Sequence, residues 1–219
     1  MTSVISAMQP TREAILDAAE ELFSRKGFRA TTTKDIGQAS STNPALLYYH
    51  FGNKESLYRA VIGRLAEALI ARGSASLEAA RDPEDAIRGL VLAQAAFLRE
   101  HPRAPALLIR EMLDHDARHA EAFLLRVASQ LFQRICGLIE EGQRAGQFRA
   151  NLDPRFAAIS TISQIVYFHL ARPAIRTLLG STDPAFPPPA LQEGFAHHAA
   201  EFAARAIAGH PGGSIGGAR

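Results

Sequence analysis

At 219 residues the chain is long enough for one or two domains with their own cores. Its 47% hydrophobic content includes no apolar run near the roughly 18 residues of a membrane span. The single cysteine, Cys136, excludes an intrachain disulfide and fits a reducing compartment, while a net charge of +2 argues against a strongly basic polyanion binder. The opening MTSVISAMQP lacks a signal-peptide pattern, so the expected location is the cytoplasm.

The first predicted helix runs from Thr11 to Lys26. Ile15, Ala18, Ala19, Leu22 and Phe23 form its apolar stripe, with Glu13, Asp17, Glu20, Glu21 and Arg25 outside it, and Gly27-Phe28 ends it. Thr32 followed by Asp35 has capping-box spacing and predicts a second helix from near Thr33 to Ser40. Asn43 then Pro44 is another start signal, because asparagine caps well and proline at the first helical position loses no needed donor. The third helix is therefore Pro44 to His50. Asn53 supplies a further cap before Lys54, Glu55 and Leu57, and free N–H groups beside Lys54 would make an anion site.

The short helix from Pro44 has too many bulky polar-tipped side chains for an ordinary core. Tyr48, Tyr49 and His50 can donate to phosphate oxygens, small Ala45 permits close approach, and Leu46 can touch a thymine methyl in a major groove. The opposing reading packs Leu47, Tyr48 and Phe51 inward; periodicity favours that for Leu47 and Phe51.

Thr31-Thr32, Asp35-Ile36, Leu47-Tyr48, Phe51, Lys54-Glu55 and Leu57, at these spacings, resemble the amino-terminal domain of TetR-family transcriptional regulators. With the preceding helix the resemblance covers 9–69, which it implies is a three-helix helix-turn-helix DNA-binding domain. Residues placed at the DNA are Thr33, Lys34, Asn43, Pro44, Ala45, Leu46, Tyr48, Tyr49, His50 and Lys54. Two positions depart from the family pattern. Ser41 stands where the family usually has a turn glycine, and a non-glycine residue with positive φ there costs about 1–2 kcal/mol. Thr42, where valine is common, makes the small core between the two short helices less apolar. Basic residues in this region, among them Arg12, Lys26, Arg29 and Lys34, are nearly balanced by acids that sit mostly on the first helix, so a moderate salt dependence of DNA binding is expected.

Beyond Leu69 helical rhythm continues without strand-like alternation, giving an all-α fold. Breaks are expected at Arg81-Asp82-Pro83, His101-Pro102 with Pro105, Asp114 to Asp116, Gly142 to Gly146, Asp153-Pro154 and Gly180 to Pro189. Ala117 to Arg144 reads as a central pillar, with Phe123, Val127, Leu131, Ile135, Leu138 and Ile139 along one side. The segments 156–170 and 191–207 are rich in alanine and aromatics, which allows close approach across an interface. The resemblance implies that they form a four-helix bundle in a homodimer. Such a dimer would present two reading helices roughly 34–36 Å apart to a pseudo-palindromic double-stranded DNA operator. Residues 70–209 are the expected effector-binding and dimerisation domain, and 210–219, poor in apolar groups, an expected mobile tail.

The resemblance also implies a small-molecule effector, whose preference for a DNA-incompetent state need supply only about 1–3 kcal/mol of coupling. Leu107 to His115 and Gln164 to Pro173 resemble regulators of the CerR type, a group associated with drug efflux. Arg110, Glu111, Gln164, Tyr167, His169 and Arg172 are polar among apolar neighbours and could orient an amphipathic ligand; packing or a dimer salt bridge is the competing role for each. Pro173 is expected to kink or end its helix. His115 and His119 have metal-ligand spacing but lie at a polar helix start, and Cys136 falls in an apolar stripe, so neither a metal nor a cofactor is expected. No nucleophile elbow or phosphate-cradling glycine loop supports an enzyme, and no catalytic residue is assigned. The function expected is a ligand-responsive DNA-binding repressor without a membrane segment; the alternatives are a helical adaptor or a small all-α enzyme with no DNA binding.

Overall fold

The structure is a computed structural model that describes residues 2–115 and 129–209, with side chains described over 11–111 and 129–209. The metal reading of His115 and His119, the pillar residues Phe123 and Val127, and the tail beyond Gly209 lie outside the described side chains. Helices are the only extended elements among the described residues, apart from one isolated bridge between Phe148 and Ala208.

The chain divides into two units. One is built on residues up to Leu69 and the stretch beginning at Leu98, the other on Ile70–Phe97 and the stretch beginning at Ser129. The step at Leu69 falls inside a continuous helix, and the return at Leu98 means the second unit is not one uninterrupted stretch.

In the first unit, α1 (Thr2–Ala30) is broken at Gly27, whose φ of 81° is open to glycine at little cost. Ile15, Ala19 and Phe23 are fully buried, as the stripe predicts. Phe23 meets Tyr58 edge to face at 4.9 Å and Phe28 lies 5.0 Å from the same ring, so Tyr58 is a centre of this core. α2 (Thr33–Ala39), α3 (Pro44–Phe51) and α4 (Lys54–Ala79) follow, and α1 packs against both short helices. The acids on α1 are not all solvated. Arg64 of α4 donates to Asp17 at 2.6 Å and Glu20 at 2.7 Å, with Glu13 at 3.4 Å, and Glu20 is buried beneath it. α6 (Ala104–His115) completes this unit against α1, and Pro105 lies in its first turn rather than at a break.

The second unit contains α5 (Pro83–Glu100) as far as Phe97, α7 (described as Ser129–Arg144), α8 (Pro154–Leu170), α9 (Arg172–Leu178) and α10 (Pro189–Ile207). Asp82 caps α5 by accepting from Asp85 N at 2.8 Å, and Asp153 caps α8 by accepting from Arg155 N at 2.8 Å. Gly142, expected at a break, lies inside α7, and the Phe148 ring occupies the space its side chain would fill. Residues after α7 then fasten to the end of α10: Arg149 N donates to Ile207 O at 3.0 Å and Gly209 N to Gln147 O at 2.7 Å. α8 ends at Leu170, and Pro173 sits in the first turn of α9, where its missing N–H costs nothing. On α10, Ala196, Ala199, Ala200, Ala203 and Ala204 are buried within the chain, and the helix packs against α8. The small residues thus serve packing inside one chain, whereas Phe156, Ile159, Tyr167 and Phe202 are more than half exposed.

Candidate nucleic-acid interface and effector residues

The interface is framed by side chains that cap helices. Thr32 Oγ1 accepts from Asp35 N at 3.0 Å, and Asp35 Oδ2 accepts from Thr32 N at 3.0 Å. These bonds, with Lys26 nearby, hold the Asp35 carboxyl below the usual carboxylate range. Asn43 Oδ1 accepts from Ala45 N at 2.9 Å, and Asn53 Oδ1 accepts from Ser56 N at 2.8 Å. Three helix starts thus stand where local sequence places them.

The turn between α2 and α3 contains Ser41 at φ 55°, the left-handed conformation expected for the missing glycine. Thr42 Oγ1 and Ser40 Oγ lie 2.7 Å apart, so the less apolar residue finds a polar partner. The closest approach depends on Gly37: a Cβ there would lie 3.0 Å from Pro44 Cγ and 3.1 Å from Thr42 O. Gly37 was not among the expected functional residues. Its signal in the sequence is a glycine inside a short helix, which costs about 1 kcal/mol relative to alanine and calls for a packing reason.

α3 is anchored by Leu47, which is fully buried, with His50 and Phe51 half-buried and the residues from Pro44 to Leu46 and Tyr48 and Tyr49 turned outward. Leu46 is 38% exposed, Tyr48 53% and Tyr49 69%. Asn43, Pro44, Ala45 and Lys34 are also exposed, and Thr33 is half-buried with its hydroxyl 3.4 Å from that of Tyr48. These residues form one face with hydroxyl, amide, ammonium and aliphatic groups available to a ligand.

Two expected DNA residues are placed differently. His50 is half-buried, its Nε2 is enclosed without a hydrogen-bond partner, and its ring stands edge-on to Tyr49. The ring has turned away from solvent, so that nitrogen is not offered to a phosphate. Lys54 Nζ donates to Phe28 O and Thr31 O, both at 3.0 Å, and lies 4.3 Å from the centre of the Phe28 ring. The expected phosphate clamp is instead a latch between the end of α1 and the start of α4, because the carbonyls there have no helical partner of their own.

The six expected effector residues are divided between the two units. Arg110 and Glu111 belong to the first unit: Arg110 is exposed and donates to Arg25 O at 3.4 Å, and Glu111 is fully buried. The other four belong to α8 and the start of α9 in the second unit. Tyr167 is 65% exposed and shares the outer surface with Phe156 and Ile159. Gln164 donates to Ser160 O at 3.4 Å and lines an open groove of about 430 Å3 between the start of α8 and the end of α10. His169 is buried, with Nδ1 2.9 Å from Ile165 O; burial first, and the charge of Arg172, push its pKa down. Burial also lowers the pKa of Arg172.

Burial pushes the Cys136 thiol up, the opposite of an activated thiolate. No group of three His, Cys, Asp or Glu side chains suited to a metal occurs among the described residues, and no described helix is long and apolar enough to cross a membrane.

The match to known proteins covers both parts of the chain. Residues 15–61 match the family described as bacterial regulatory proteins, tetR family, and residues 83–200 match the tetracyclin repressor-like C-terminal domain. The HTH-type transcriptional repressor NicS of Pseudomonas putida is 32% identical over 162 residues, 73% of this chain and 75% of NicS. The HTH-type transcriptional repressor KstR2 of Rhodococcus jostii is 26% identical over 146 residues, 67% of this chain and 72% of KstR2. The crystal structure of the TetR-family regulator PfmR from Thermus thermophilus shares the fold with a TM-score of 0.71 at 22% identity, covering 87% of this chain and 97% of PfmR. The outward face of α3 and the match across both domains have one meaning: the chain belongs to the TetR family and is a DNA-binding transcriptional regulator.

Proposed function

We propose that the chain is a homodimeric repressor, not an enzyme, that acts in the cytoplasm on a pseudo-palindromic operator and is released by a small amphipathic molecule. The observation that carries the DNA contact is the division of α3, where buried Leu47 holds Leu46, Tyr48 and Tyr49 out to solvent. Thr33, Lys34, Asn43, Pro44 and Ala45 complete the face, with hydroxyls and the lysine on phosphates and Leu46 on base edges. The names of NicS and KstR2 as repressors favour repression over activation.

The dimer surface is drawn from Phe156, Ile159 and Tyr167 on α8 and Phe202 on α10, aromatic and aliphatic side chains left exposed by the buried alanines. A second copy seated there would remove an apolar patch from water. The groove beside Phe156 and Phe202 gives that surface depth.

The test is a gel shift on DNA flanking the chain's own coding region, at two salt concentrations. Specific binding that weakens with salt is expected, and Tyr49→Ala should abolish it while the sedimentation coefficient of the dimer is unchanged. Absence of a shift on every flanking palindrome would refute the repressor reading. A monomeric Tyr49→Ala protein would refute the placement of that side chain.

A further inference from the structure

The turn between Ala39 and Asn43 sets the angle at which α3 leaves α2, and hydroxyl groups hold it. Ser40 Oγ donates its one hydrogen to Ile36 O at 2.8 Å, with Gly37 O at 3.3 Å, and a carbonyl can only accept. The Ser40 oxygen is thereby left as an acceptor, and Thr42 Oγ1 stands 2.7 Å from it. The bond between the hydroxyls therefore runs from Thr42 to Ser40, and the relay ends on a carbonyl in the last turn of α2. Thr42 N also donates to Gly37 O at 2.9 Å. Ser41, exposed and left-handed at φ 55°, lies directly between the two hydroxyl residues. A non-glycine residue in that conformation relaxes to another unless its neighbours hold it. Here the neighbours on either side are bonded to each other across it.

We propose that Thr42 is a positioning residue for DNA recognition, whose hydroxyl, bonded across Ser41 to Ser40, keeps the turn in the conformation that presents α3. Thr42 itself need touch no DNA. The inference rests on the reading of α3 as the helix that meets the bases, and it adds what fixes the attitude of that helix. At the far end of the helix pair the Thr33 and Tyr48 hydroxyls lie 3.4 Å apart, a longer and exposed contact, so the turn carries the tighter constraint. Without the Thr42 hydroxyl, relief of Ser41 draws the turn toward other conformations. Apparent affinity then falls in proportion to the molecules that keep the reading one. One neutral hydrogen bond corresponds to about fivefold in such a ratio. Contacts to base edges depend on how α3 is seated, whereas binding to arbitrary duplex draws on phosphate charge and tolerates a change of seating.

The experiment uses the full chain and two duplexes of equal length, one enriched by the wild-type protein from a random-sequence pool and the other a scrambled version of it. Each variant is measured at the same salt and well below its own Tm. Thr42→Val keeps the branched shape and loses the hydroxyl, so it is expected to bind the enriched duplex about three- to tenfold more weakly, with scrambled binding unchanged. Thr42→Ser keeps the hydroxyl and should stay within about twofold of wild type. Adding Ser41→Gly to Thr42→Val should restore most of the loss, because glycine holds the left-handed turn without help. A purely structural role would lower the Tm and leave the ratio of the two affinities where it was. An unchanged ratio in Thr42→Val, a Thr42→Ser protein as impaired as Thr42→Val, or a loss that Ser41→Gly does not diminish overturns the proposal. If Thr42→Val does not fold, Ser40→Ala removes the same bond from its other end, and the same ratio decides. Failure of the α3 reading shows separately, as a Tyr49→Ala protein that binds the enriched duplex like wild type. A wild-type protein that enriches no duplex overturns that reading and this inference with it.

Discussion

Lys54 separates two roles that a lysine at the start of α4 could play, and replacing it with methionine keeps the stem while removing the ammonium. The loss comprises two charge-assisted hydrogen bonds of 3.0 Å, to Phe28 O and Thr31 O, and a cation–π contact at 4.3 Å. A hydrogen bond to a charged group contributes about 1.5–3 kcal/mol when well enclosed, and a cation–π contact about 0.5–1 kcal/mol near the surface. Lys54 is half-buried and the carbonyls can regain some hydration, so the lower ends apply and the expected cost is about 2–4 kcal/mol. For a chain of this size that corresponds to a fall in Tm of about 5–15 °C if unfolding is a single transition. Calorimetry gives the Tm, and binding titrations at several salt concentrations give the slope of log K against log[salt]. The latch predicts a large fall in Tm, weaker operator binding and an unchanged slope, with partial recovery in Lys54→Arg. An unchanged Tm with a slope smaller by about 0.9 would show that the ammonium is released to a phosphate, and the latch would be refuted.

Ser41→Gly should relieve the left-handed turn at φ 55° and raise stability by about 0.5–1 kcal/mol, part of the relief being offset by the freer unfolded chain; equilibrium denaturation checks this, with operator affinity unchanged. Gly37→Leu should drive α2 and α3 apart and abolish the gel shift while leaving the dimer, because even a Cβ meets Pro44 at 3.0 Å. Phe202→Glu should yield monomers in analytical ultracentrifugation if α10 joins the dimer surface. His169 has a lowered folded-state pKa, so below its ordinary value of 6.5 the unfolded chain binds the proton and the folded one does not. Its contribution therefore falls as pH drops below 6.5, and the Tm of His169→Gln should decline less than wild type between neutral and mildly acidic pH.

Helix starts were legible because a cap is a local event: Thr32 with Asp35, Asn43 with Pro44, and Asn53 each act on backbone within three residues. The outward face of α3 was legible for the same reason, since periodicity assigns Leu47 and Phe51 inward, and the structure has Leu47 buried and Phe51 half-buried. Lys54 was misread because its partners, Phe28 and Thr31, are distant in sequence and are carbonyls, which carry no residue signature. The Arg64 bridge to Asp17 and Glu20 has the same character, joining charges that separate helical wheels both assign to solvent. Alanine in α10 correctly signalled close packing but not which helix would approach, and the answer within one chain is α8. Arg110 and Gln164 attracted notice as polar residues in apolar stretches, yet of the six expected effector residues, all of them described, only His169 and Arg172 have an enclosed atom without a partner.

The caps under α2, α3 and α4 divide labour between residues. Thr32, Asn43, Asn53, Gly37, Leu47 and Lys54 set the frame, while Leu46, Tyr48 and Tyr49 project from it. Because the projecting residues bear little of the packing, drift at Leu46 or Tyr49 can retune which operator is read without first endangering the fold. A lineage carrying this head can change its target genes by small steps, and a library confined to those two positions is where new recognition should be sought.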